Sequence, residues 1–101
     1  MKSNDLNLED LKRELKNQLP FLRKKYLVSS LSIFGSYVKG QQKSKSDVDL
    51  LVIFSETPGL LKFIEMENYL SDLLGLKVDL VMKDALKPEI GKRILNEVQQ
   101  I

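Results

Sequence analysis

The sequence predicts an α+β domain: a small three-stranded mixed sheet flanked by helices, in the order αβαβαβα. Three observations carry this. Leu8, Leu11, Leu15, Leu19 and Leu22 recur at spacings of three and four, the apolar stripe of a helix. Two stretches, 47–54 and 76–82, alternate side chains between two faces that are both largely apolar, as in strands covered on both sides. Between them runs a helical stripe long enough for a crossover, so these two strands are expected to be parallel neighbours. The 101 residues are expected to form a single domain, 1–101, with room for one compact core.

In chain order, Asn7 is a plausible N-cap for the first helix, with Glu9 and Asp10 in its first turn. Pro20 removes a backbone donor, so a kink or restart is expected there. Arg23-Lys24-Lys25 suits a solvated helix C-terminus better than a nucleic-acid patch. Residues 27–34, rich in β-branched, serine and aromatic side chains, form the first strand. Gly35-Ser36 ends it, and Ser36 is placed to cap a short helix through Tyr37 and Val38. The polar loop 40–46 is short and fits an antiparallel link to the second strand. Thr57-Pro58 reads as a helix start, Leu60, Phe63, Met66, Leu70, Leu73 and Leu74 as its stripe, and Gly75 as its stop. After the third strand, Pro88 opens a last helix with Ile90, Ile94, Leu95 and Val98 expected inward.

Composition narrows the chemistry. The chain has no cysteine and no histidine, which excludes disulfides, thiolate sites and imidazole acid–base catalysis. Any metal must be held by oxygen, which favours magnesium, calcium or manganese. A net charge of +2 is too small to argue for direct nucleic-acid binding. No apolar run approaches the roughly 18 residues of a membrane span, and Met1–Asp5 lacks the apolar stretch of a secretory signal. A soluble cytoplasmic protein is expected.

The chemistry concentrates in residues 33–54. Asp47 and Asp49 open an otherwise apolar strand and project from the same face, about 6.5–7 Å apart along the backbone. Ionised carboxylates are costly to bury in such a setting, and a divalent cation relieves that cost. A turn with solvated aspartates fits Asp-Val-Asp alone equally well. Asp79 interrupts the third strand where an apolar residue would suit the pattern. If strands two and three are parallel neighbours, Asp79 comes beside Asp47 and Asp49, and three acids frame a two-metal site with ions about 3.5–4 Å apart. The plainer reading of Asp79 is a lone buried acid satisfied by backbone amides. Gly35-Ser36 would lie beside the aspartates, with glycine permitting close backbone approach and the serine suited to phosphate. Lys39, Lys43 and Lys45 could meet phosphates as point charges, although Lys43 and Lys45 fit solvated loop lysines better.

Gly35-Ser36, ten residues, then Asp47-Val48-Asp49 resembles the Gly-Ser-x10-Asp-x-Asp signature of the DNA polymerase beta-type nucleotidyltransferase superfamily. Within it the chain is similar to the minimal nucleotidyltransferase (MNT) proteins, including antitoxins of HEPN–MNT toxin–antitoxin pairs. The likeness runs over nearly the whole chain, through Ile33–Tyr37, Ser46–Val52, Val78–Val81 and Ile90–Leu95. It implies the nucleotidyltransferase fold. It also implies that Gly35 and Ser36 hold the triphosphate of ATP, with Lys39 assisting. Asp47 and Asp49 would coordinate two magnesium ions, and Asp79 would complete the triad as a ligand or as base on the acceptor hydroxyl. The implied reaction moves AMP onto a tyrosine of a cognate HEPN ribonuclease toxin and silences it. Lys39 departs from the arginine that family members often carry, losing a two-pronged phosphate contact. Two other functions fit less well: a non-catalytic toxin-binding antitoxin, against which the complete acid triad argues, and a free-standing enzyme for a small-molecule acceptor.

Overall fold

The computed structural model describes residues 7–42 and 46–101. Lys43 and Lys45 therefore lie outside the described residues. The chain runs α1 (Leu8–Tyr26), β1 (Val28–Phe34), α2 (Ser36–Lys39), β2 (Val48–Phe54), α3 (Leu60–Leu74) and β3 (Val78–Met82). A 3-10 turn (Lys83–Ala85), α4 (Pro88–Glu97) and β4 (Gln99–Gln100) complete it. The sheet order is β3-β2-β1-β4. As expected, β1 and β2 are antiparallel, and β2 and β3 parallel.

The expected three strands become four. Gln99 and Gln100 pair with Ile33 and Ser32 on the outer edge of β1. Two glutamines carry no strand pattern; the unpaired amides and carbonyls of β1 recruit them. On the opposite edge, α3 supplies side chains instead of a strand. Ser71 Oγ accepts from Val78 N–H at 3.0 Å, and Glu67 Oε2 from Leu80 N–H at 2.8 Å.

Helix α1 begins as expected, with a capping box in which Asn7 Oδ1 accepts from Asp10 N–H (2.9 Å) and the Asp10 carboxylate accepts from Asn7 N–H. Pro20 does not break it: α1 is continuous through Tyr26, because Leu15, Leu19 and Leu22 are buried on either side of the proline in the same core. Helix α3 starts at Leu60 behind Gly59, later than the Thr57-Pro58 start the sequence suggests. Gly75 ends it in the left-handed conformation, as expected.

Helices α1 and α3 cover one sheet face. Leu31 and Ile33 of β1, Val48, Leu50 and Val52 of β2, and Val78 and Leu80 of β3 point into that core with the leucine stripe of α1 and Met66, Leu70 and Leu74 of α3. Helix α4 corrects a second expectation: none of its residues is buried, and Ile90 and Leu95 are exposed. The buried core lies between the sheet and the α1–α3 layer, and α4 stands outside it. Among the described residues, no helix is long and apolar enough to cross a membrane.

Candidate active site

The other sheet face carries the chemistry. The β1–β2 register sets Phe34 opposite Asp49, so Gly35 lies at the mouth of the strand that bears the acid. The β2–β3 register sets Asp49 beside Asp79. A bond from Val48 N–H to the carbonyl of Lys77 (2.8 Å) locks the two strand openings together. The side chains of Ser71 and Glu67 hold the amides on either side of Asp79, fixing its height on the edge strand.

Gly35 takes φ +81, which only glycine adopts without strain, and caps α2. Its missing side chain matters more. A Cβ there would collide with Oδ2 of Asp49 and lie 3.1 Å from its Cγ. The carboxylate thus rests directly on the Gly35 backbone, an approach that sequence spacing alone could not reveal. The half-buried Asp49 has its pKa raised, first by desolvation and then by the negative fields of Asp79 and Asp47. No lysine or arginine among the described residues forms an ion pair with it.

Asp47 is exposed and its Oδ2 lies 4.0 Å from Lys77 Nζ; Asp79 is exposed as well. The expected acids therefore share one face and one electrostatic field. Among the described residues, however, no group of three acidic side chains is already drawn together as a metal cage. The donor chemistry fits a hard divalent cation: carboxylates only, one of them desolvated and without a cationic partner among the described residues. Asp47 and Asp79 are the exposed members of the set.

Ser36 opens the one-turn helix α2, and Gly40 closes it in the left-handed region. Tyr37 beneath it is buried, and its hydroxyl donates to the carbonyl of Ser46 at 3.4 Å, tying α2 to the residue just before Asp47. Burial, and then the charge of Asp47, raises the Tyr37 pKa. Lys39 ends the helix, and its Nζ lies 3.4 Å from Glu97 Oε2. Sequence reasoning missed three of these residues. Lys77 had a signal, two residues before Asp79 on the same strand face, whereas Glu97 and Tyr37 reach their partners only through the fold.

The mixed sheet thus sets a glycine-serine turn against an aspartate pair at the opening of β2, with a third acid from the parallel neighbour. The chain belongs to the family described as nucleotidyltransferase domain, whose model matches residues 13–101. It is 53% identical over 93 residues to protein adenylyltransferase MntA of Thermococcus cleftensis, across 92% of this chain and 94% of that protein. Its fold superposes on a solved chain provisionally designated a minimal nucleotidyltransferase, with a TM-score of 0.82 and 30% identity, covering 96% and 98% of the two chains. It also matches a chain of the complex described as tri-AMPylated Shewanella oneidensis HEPN toxin with MNT antitoxin. There the TM-score is 0.67, the identity 20%, and the coverage 89% and 70%; this likeness is one of fold.

Proposed function

We propose that this nucleotidyltransferase moves AMP from ATP to a protein hydroxyl, a tyrosine of a cognate HEPN-type toxin, and thereby acts as an antitoxin. The observation that carries the site assignment is the Asp49 carboxylate seated on Gly35, which joins phosphate cradle and acid pair into one site. The acceptor class draws support from the adenylyltransferase relative at 53% identity and from the AMP-bearing HEPN toxin of the fold neighbour.

In this reading Gly35 lets the Asp49 carboxylate sit against the turn that meets the triphosphate, and the Ser36 hydroxyl and the Lys39 ammonium meet its oxygens. Asp47 and Asp49 would hold magnesium, with Asp79 completing the acid triad; when bound, the metal would supply charge neutralisation for the triphosphate and for the leaving pyrophosphate. Asp79, exposed on the edge strand, takes the proton of the attacking hydroxyl. The hydroxyl oxygen forms a bond to the α-phosphorus while the bond from that phosphorus to the bridging oxygen breaks. Positioning and charge neutralisation suffice for such a step, so the absence of histidine is no handicap.

The test is incubation with magnesium, ATP labelled at the α-phosphate and the product of the neighbouring reading frame. Label on a partner tyrosine, absent with an Asp47→Asn/Asp49→Asn variant, is expected. Tight partner binding without label would sink the catalytic reading in favour of occlusion. Asp79→Asn should abolish transfer while largely sparing nucleotide binding.

A further inference from the structure

Lys39 does not hang free over the site. Its Nζ lies 3.4 Å from Oε2 of Glu97, the last residue of α4. The two partners are mounted differently. Glu97 is held from the carboxy-terminal side by a continuous set of backbone bonds. Val98 N–H donates to Ile94 at 3.0 Å, Gln99 pairs with Ile33, and Ile101 N–H donates to Leu31 at 2.9 Å. The backbone that carries it is therefore tied to β1, the strand that delivers Gly35. Lys39 ends a one-turn helix and is followed by Gly40, around which a Cβ would meet nothing within 4 Å. Exposure follows the same asymmetry, 24% for the Glu97 side chain against 49% for that of Lys39.

Resting on the reading of Lys39 as a phosphate contact, we infer that Glu97 is a positioning residue that holds the Lys39 ammonium over the phosphate cradle. A lysine is a point charge on a flexible stem, without the fixed fork that lets an arginine meet phosphate in one orientation. A carboxylate on that tied backbone supplies the missing orientation. It does so without consuming the cation, because an ammonium has three donors and an ion pair with one carboxylate leaves donors for phosphate oxygens. The two-residue strand β4 acquires a role as well: it fixes the carboxy-terminal segment at the height where Glu97 reaches Lys39. The opposing effect is repulsion between the Glu97 carboxylate and an incoming triphosphate, and it predicts the reverse sign.

Binding of a fluorescent ATP analogue with magnesium, read by anisotropy on the full chain, decides between them. Glu97→Gln is expected to weaken binding roughly two- to fivefold, the range of a partly exposed ion pair. KM for ATP should rise by the same factor in AMP transfer, with kcat unchanged. Lys39→Ala should weaken binding at least as much, and the double variant no further than Lys39→Ala. The charge swap Lys39→Glu/Glu97→Lys, which keeps the ion pair but turns the cradle negative, should melt like the parent and still bind poorly. Parent-like or tighter binding by Glu97→Gln, with Lys39→Ala still weakened, overturns the inference and leaves the nucleotide reading intact. Equal losses from Glu97→Gln with and without Lys39 overturn it as a general structural effect. Parent-like binding by Lys39→Ala overturns both the Lys39 contact and the inference built on it.

Discussion

The two faces of the sheet are made by the same strands and obey different rules. On the face under α1 and α3, Ile33, Leu50 and Val52 are wholly buried and surrounded by apolar neighbours. On the other, Asp49 and Asp79 stand side by side, and burial works against the charge of Asp49 rather than for the fold. Strand alternation lets one stretch, Val48–Phe54, serve both: even-numbered residues stabilise while Asp49 waits for a ligand. The contrast shows stability and chemistry separated by a single residue step.

Asp49→Asn breaks the contrast most strongly. With Asp49 in the proposed metal-binding role, its loss should lower AMP transfer by about 10²–10³-fold, as removal of several kcal/mol of transition-state stabilisation implies. The same variant should melt higher than the parent without nucleotide, by roughly 2–5 °C, because it removes a desolvated charge repelled by Asp79 and Asp47. Calorimetry and a transfer assay on one preparation check both; a lower melting temperature would contradict the electrostatic account. On the covered face, Leu50→Ala should cost about 2–5 kcal/mol in denaturant unfolding, with residual folded protein still active.

Gly35→Ala tests the point where the two strands meet the site. The left-handed φ should cost roughly 1–2 kcal/mol. Displacement of the Asp49 carboxylate should remove most transfer activity, beyond what the stability loss explains. A Gly35→Ala protein with full activity would sever the cradle from the acids. The smallest effect belongs to Tyr26→Phe, far from the chemistry, where the hydroxyl donates to Glu65 at 2.7 Å. That change should cost about 1 kcal/mol. Burial and then the Glu65 bond push the Tyr26 pKa up to about 12, so the folded state keeps its proton while the unfolded chain loses it near 10. Stability from this group is complete below pH 10 and is lost as pH rises towards 12; urea melts over that window should slope less steeply for Tyr26→Phe.

The sequence by itself determined the three strands β1, β2 and β3, their pairing directions and the placing of the acids at the strand openings. Alternation fixes the two faces, the crossover fixes the parallel pair, and unpaired acids in apolar strands stand out against their surroundings. Tertiary structure decided what no local pattern encodes. Pro20 stays within α1 because leucines on both sides share one core, α4 lies outside that core with no residue buried, and Gln99–Gln100 pair because β1 has an open edge. The seating of Asp49 on Gly35, and the pairing of Lys39 with Glu97, belong to the same class. Such contacts join residues far apart in the chain, and their free energy appears only when the sheet brings them together.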